Sequence, residues 1–193
     1  VQPAPDPRDR LSRFVQAFDE ALPAGLCAQI VQGFESMAAR HVANGRHRRD
    51  WLAGSAWTEL DIGPLSDAPF QQMMLDNLNA HLARYNAALG LTIPVPGTTK
   101  TSEWILKRYR AGADEGFQPH FDALGPVANR YLVCLWYLND VAEGGETAFV
   151  DLDIMVRPKA GRLLIFPPYW MFQHEGRRPL SNDKYILSTY LLF

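Results

Sequence analysis

The apolar positions fall into two regimes along the chain. Leu26, Ile30, Phe34 and Met37 recur at helical spacing behind Pro23, which predicts a helix over about 23–41. Met73, Met74, Leu78, Leu82 and Tyr85 form a second stripe. Ser66 as N-cap and Gly90 as the stop place that helix over about 66–89. After Pro94 and Pro96 the pattern changes to short runs rich in β-branched, aromatic and aliphatic residues: Thr101–Tyr109, Tyr131–Leu138, Ala148–Val156, Arg162–Phe166 and Tyr185–Phe193. Gly112, Gly116, Gly144, Gly145 and Gly161 punctuate them. Short strands are expected at 11–18 and 58–62, a loosely attached arm at 1–10, and a loop at 42–57. Trp51 and Trp57 in that loop either pack onto the domain or line a groove. The pattern predicts a mainly β protein with flanking helices in a single domain, 1–193: an N-terminal helical support region (1–99) and an all-β barrel or sandwich (100–193).

Composition narrows the function classes. The chain has 193 residues, is 47% hydrophobic and carries a formal charge of −2, so a full core is available and no general nucleic-acid footprint is expected. The cluster Arg46-His47-Arg48-Arg49 reads as a solvated loop, whereas Arg177 and Arg178 lie near the chemistry described below and suit an acidic ligand. Cys27 and Cys134 are too few and too far apart for a disulfide framework, which suits a reducing, cytoplasmic setting. No run is long enough to span a membrane. The Pro-rich, polar start is unlike a signal peptide, and its lack of an initial Met is read as a trimmed or processed end.

Candidate chemistry begins at Gln118-Pro119-His120-Phe121-Asp122. In extended chain, alternate side chains share a face, so His120 and Asp122 point the same way. His174, beyond the strand ending at Pro167-Pro168, is the candidate third ligand. Two imidazoles and a carboxylate on one side of a metal leave open positions, the arrangement that suits iron(II) in an oxygenase; zinc also accepts such a set. A His-x-Asp alone is common by chance, and His41, His47 and His81 read as structural. Lys184 opens an apolar strand on which Ile186, Ser188 and Tyr190 share its face. Either its ammonium reaches water from the first strand position, or it faces the interior and requires an anion, for which a ligand carboxylate is suited and Ser188 a second donor.

Together these residues resemble the 2-oxoglutarate/Fe(II) dioxygenases, and within them the prolyl 4-hydroxylase-like branch. The resemblance covers about residues 100–193. It is carried by Leu106–Gly112, Pro119–Asp122, Tyr131–Asp140, Gly144–Phe149 and the stretch from His174 to Tyr190, in that order and spacing. It implies a double-stranded β-helix (jelly-roll) core, with His120, Asp122 and His174 binding iron. It also implies that Lys184 pairs with the distal carboxylate of 2-oxoglutarate. Tyr109 matches a tyrosine that hydrogen-bonds that carboxylate, Tyr137 matches another near the co-substrate, and Ser188 takes the place of a hydroxyl residue beside the basic one. Many relatives use Arg where this chain has Lys184.

The implied reaction consumes O2 and 2-oxoglutarate, with ascorbate as an optional reductant, hydroxylates an unactivated C–H bond and releases succinate and CO2. Asp122 speaks against the halogenase variant, in which a small residue replaces this carboxylate. Trp136 is expected in the core; Trp170 either packs or walls the substrate side. The substrate is a prolyl residue of a peptide or protein, or alternatively a free amino acid or small metabolite. A non-catalytic, metal-binding jelly-roll module is the third reading. Residues 1–99 match no motif, so neither substrate identity nor oligomeric state follows from them.

Overall fold

A computed structural model describes residues 7–97 and 100–193. Three α-helices are present among them: α1 (Pro7–Ser12), α2 (Ala24–Ser36) and α3 (Ala68–Leu89). The strands are β1 (Gln16–Phe18), β2 (Val42–Gly45), β3 (Ala56–Asp61), β4 (Ile105–Tyr109), β5 (Phe117–His120), β6 (Arg130–Tyr137), β7 (Thr147–Phe149), β8 (Ile154–Val156), β9 (Leu163–Phe166), β10 (His174–Gly176) and β11 (Lys184–Leu192). A seven-stranded sheet has the order β1-β9-β6-β11-β4-β3-β2, and a four-stranded sheet the order β5-β10-β7-β8; every pairing is antiparallel. From β4 to β11 the chain alternates between the two sheets, with β7 and β8 forming a hairpin inside the small one, the connectivity of the jelly roll.

Strand periodicity divides the core in two. One face of the large sheet presents Leu106, Leu132, Cys134, Trp136, Leu163, Ile165, Leu187 and Leu191 to Leu78, Leu82 and Tyr85 of α3 and to Cys27 and Phe34 of α2. The other face presents Tyr109, Val133, Leu135, Tyr137, Leu164, Phe166 and Ile186 to Phe149 and Val156 of the small sheet. β6 is covered on both sides, which is why it reads as a continuous apolar run instead of an alternation. Arg108 faces the helices and donates to Glu35 Oε1 of α2 at 2.9 Å, so its neighbours Lys107 and Tyr109 face the space between the sheets.

Several local expectations need correction. Pro7–Ser12 is a short helix where an arm was expected, and the rest of that arm, 1–6, lies outside the described residues. The strand expected over 11–18 is confined to Gln16–Phe18, and the first long helix ends at Ser36 before a 3-10 turn over Ala38–Arg40. Asp67, not Ser66, caps α3, accepting from the Phe70 amide at 2.9 Å. Met73 lies on the exposed side of that helix. The stretch 42–57 is a hairpin arm rather than a loop, since β2 pairs with β3. Residues 148–156 split into two short strands around a 3-10 turn. The N-terminal region is also not only helical, because it supplies β1, β2 and β3 to the large sheet. Of these, β2 was not expected: it exists through its pairing with β3, and its own four residues are too short to announce it.

Candidate metal and co-substrate site

β5 and β10 are neighbours in the small sheet, with His120 directly opposite His174. Asp122 follows just beyond β5, where its own amide and that of Ala123 both donate to the Pro168 carbonyl. One ligand atom from each of His120, Asp122 and His174 falls within 4.8 Å of the others. Nε2 of His120 is 3.5 Å from Asp122 Oδ1, and Nε2 of His174 is 3.5 Å from Asp122 Oδ2. Each imidazole turns its other nitrogen onto a backbone carbonyl, Gln118 at 2.8 Å for His120 and Phe172 at 3.1 Å for His174. A carbonyl only accepts, so Nδ1 carries a proton, and Nε2, which faces Asp122, is the nitrogen left for a metal.

The electrostatics favour the same arrangement. Burial alone would raise the Asp122 carboxyl, but His120, His174 and a hydrogen bond from the Tyr190 hydroxyl, 2.9 Å from Oδ1, hold it well below the usual carboxylate range. Burial, reinforced by the nearby His120, pulls His174 down to about 4, against the attraction of Asp122, so it is a neutral ligand at ordinary pH. Asp122 Oδ2 is buried and has no hydrogen-bond partner. An unpartnered buried carboxylate oxygen is costly, and a cation between it and the two Nε2 atoms would satisfy it. The residues fit a metal ion, and the mixed N and O donors suit Fe(II).

Lys184 is directly opposite Tyr109 on β4 and only 2% exposed, so its side chain faces the interior and does not reach water. Its Nζ lies 5.4 Å from the Tyr109 ring centre and 5.6 Å from that of Tyr137, and it forms no ion pair among the described residues. Burial pulls its ammonium down to about 7, with Glu146 opposing and Lys107 adding to the shift. Ser188 is buried two strand positions beyond Ile186, with only a long 3.5 Å contact to the Ile105 carbonyl. Tyr137 differs from the other three, because its hydroxyl donates to Thr147 Oγ1 at 2.7 Å and only its ring is turned to Lys184.

His120, Asp122, His174, Lys184, Tyr109 and Ser188 line one cleft, enclosing about 450 Å³ with its open mouth. Sequence reasoning left Lys107, Thr147 and Tyr190 out of the site, although all three line this cleft. Period-2 spacing was the available signal: Lys107 precedes Tyr109 by two positions and Tyr190 follows Ser188 by two. Arg177 and Arg178 do not enter it; they pair with Glu175 and Asp114 on the surface. Trp57 is buried and stacks on Phe117, which in turn stacks on His120 at 3.7 Å, whereas Trp51 and Trp170 are exposed.

A family model described as the 2OG-Fe(II) oxygenase superfamily matches residues 104–192, the segment that contains every one of these groups except Trp51 and Trp57. A probable prolyl 4-hydroxylase of Arabidopsis thaliana is 37% identical over 73 residues, which are 34% of this chain and 24% of that protein. The match therefore spans about a quarter of that relative's length. A prolyl-4-hydroxylase from Pseudomonas putida superposes with a TM-score of 0.69 at 20% identity, covering 96% of both chains. The viral collagen prolyl hydroxylase of Paramecium Bursaria Chlorella virus-1, in its 2OG complex, gives 0.64 at 16% identity, covering 92% of this chain and 94% of that one. At those identities the likeness shows the shared jelly-roll fold. Among the described residues no helix is long and apolar enough to cross a membrane.

Proposed function

We propose that this chain is an Fe(II)- and 2-oxoglutarate-dependent hydroxylase acting on an unactivated C–H bond. The observation that carries the reading is a pairing within one cleft: a three-ligand cluster with an unpartnered carboxylate oxygen, and a buried lysine without a carboxylate. His120, Asp122 and His174 hold the metal. Lys184 takes the far carboxylate of the 2-oxo acid, with hydrogen bonds from Tyr109 and Ser188, and Tyr137 supports the ammonium with its ring. When bound, the iron and the 2-oxo acid supply O2 activation and oxygen transfer, with succinate and CO2 released.

The protein's own part is position and dryness. A charge-assisted bond to Lys184 fixes one end of the co-substrate, and the ligand cluster fixes the other. Tyr190 holds Asp122 in its ligating orientation through Oδ1, leaving Oδ2 for the metal. Val133, Leu135, Phe166 and Ile186 wall the cleft with hydrocarbon, which strengthens both electrostatic contacts by excluding water.

The substrate in this reading is a prolyl residue of a peptide or protein, as the names of the relatives suggest. Trp51, whose carbonyl accepts from the Gln118 side chain, and Leu124 and Trp170, each close in sequence to a ligand, are exposed apolar side chains on which such a chain could lie. The buried thiols of Cys27 and Cys134 suit a cytoplasmic setting. The test is a screen with iron, ascorbate and 2-oxoglutarate, comparing prolyl peptides with free amino acids by succinate formation and the mass gain of one oxygen. His174→Ala is expected to lose metal binding and turnover while keeping its circular dichroism spectrum. Absence of succinate with every substrate, together with 2-oxoglutarate binding that Lys184→Ala leaves unchanged, would favour a non-catalytic metal-binding module.

A further inference from the structure

The cleft holds a second cation that the reading above leaves without a role. Lys107 lies on the inward face of β4, directly opposite Ile186 and two positions from Tyr109. By strand geometry it is the diagonal neighbour of Lys184, with the two backbones about 7–8 Å apart. Its Nζ stands 5.5 Å from the Trp57 ring centre and 5.9 Å from that of Phe117, the ring stacked on His120. It forms no ion pair among the described residues. The nearest acidic side chains are otherwise engaged: Glu59 accepts from Asn44 at 2.5 Å and from the Trp57 indole at 2.6 Å, and Asp122 belongs to the ligand cluster. Arg49 and Arg130 add positive potential around it.

Lys107 is half-buried, and a cation in an aromatic-walled cleft, beside another cation and with its nearest carboxylates occupied, is placed to receive an anion. Lys184 accounts for one carboxylate only. We propose that Lys107 is a second anion-binding residue, and that the ternary complex places a carboxylate on it. This inference rests on the oxygenase reading for its co-substrate and goes beyond it in the substrate. The carboxylate has two sources, the keto-acid end of 2-oxoglutarate or the substrate itself. In the second case the substrate is an acid, such as a free amino acid, and not a prolyl residue internal to a peptide.

Titration calorimetry on the protein loaded with Mn2+ under nitrogen separates these sources without turnover. 2-Oxoglutarate is titrated first; L-proline and L-prolinamide are then titrated into protein with and without 2-oxoglutarate. Lys107→Met is expected to weaken one carboxylate by about tenfold or more, the loss expected for a charge-assisted bond, and Lys107→Arg to restore most of it. Weakened 2-oxoglutarate binding assigns Lys107 to the co-substrate. Weakened L-proline binding with 2-oxoglutarate unaffected, and a wild-type preference for L-proline over L-prolinamide, assigns it to the substrate. 2-Oxoglutarate affinity within about twofold of wild type, with L-proline binding absent or unchanged, overturns the inference even if the enzyme is an oxygenase. Wild-type protein that binds Mn2+ but no 2-oxoglutarate would sink the oxygenase reading, and the L-proline titrations would then decide Lys107 by themselves.

Discussion

Replacing Lys184 by Met removes the ammonium and keeps an unbranched side chain of similar length. In the ligand-free protein the charge is held at 2% exposure with aromatic rings as its neighbours, and burial pulls it from 10.5 down to about 7. A group whose folded value is lowered in this way is penalised when charged. The penalty is absent above about pH 10.5, grows as pH falls, and is complete below about pH 7. At ~1.4 kcal/mol for each tenfold, it amounts to ~4 kcal/mol at pH 7. The two ring faces return ~1 kcal/mol each while the lysine is charged, and a Met sulfur recovers part of that contact. Lys184→Met should therefore be more stable than wild type by ~2–4 kcal/mol at pH 7 in urea denaturation without metal or 2-oxoglutarate. The gap should shrink by most of that amount by about pH 9.5. With Mn2+ present, 2-oxoglutarate should narrow the gap by about 2.7 kcal/mol at 100 times its Kd and close or reverse it at 1,000 times, where the contribution is about 4.1 kcal/mol, since the variant gains almost none of this. A variant less stable than wild type at pH 7, or a gap that does not move with pH, would refute the argument that this cation is buried without a counter-ion.

Tyr190→Phe should keep the fold and weaken metal binding by about tenfold, because the Asp122 carboxylate loses the hydroxyl that orients it; calorimetric titration with Mn2+ reads this directly. The lowering of His174 to about 4 predicts that apo-protein stability declines as pH falls from about 6.5 towards 4, since the unfolded chain takes up the proton first. His174→Gln should lack that component in urea melts across the range. Gly161→Ala should cost more than ~2 kcal/mol in the same assay, because φ is +79° and a Cβ would run into the Leu22 carbonyl.

The long elements were legible from local pattern. Helical spacing from Leu26 to Phe34 and from Met74 to Tyr85, and the apolar runs of β6 and β11, each bury enough surface to announce themselves. The short strands were not. β2, β5 and β10 have 4, 4 and 3 residues and exist because a distant strand supplies their hydrogen bonds. The same limit hid Lys107: its sequence neighbours do not reveal that Lys184 and Asp122 share its cleft.

The sequence by itself determined which groups the chain has for chemistry and how they alternate along each strand. His120 and Asp122 are two residues apart, and Lys184, Ile186, Ser188 and Tyr190 fall on one face, because a strand's side chains repeat every second residue. Only the tertiary structure decided which face is inside. Register between β4 and β11 sets Tyr109 against Lys184, and register between β5 and β10 sets His120 against His174. These contacts join residues far apart in the chain, and a one-residue slip in either ladder would turn the same side chains to the opposite face.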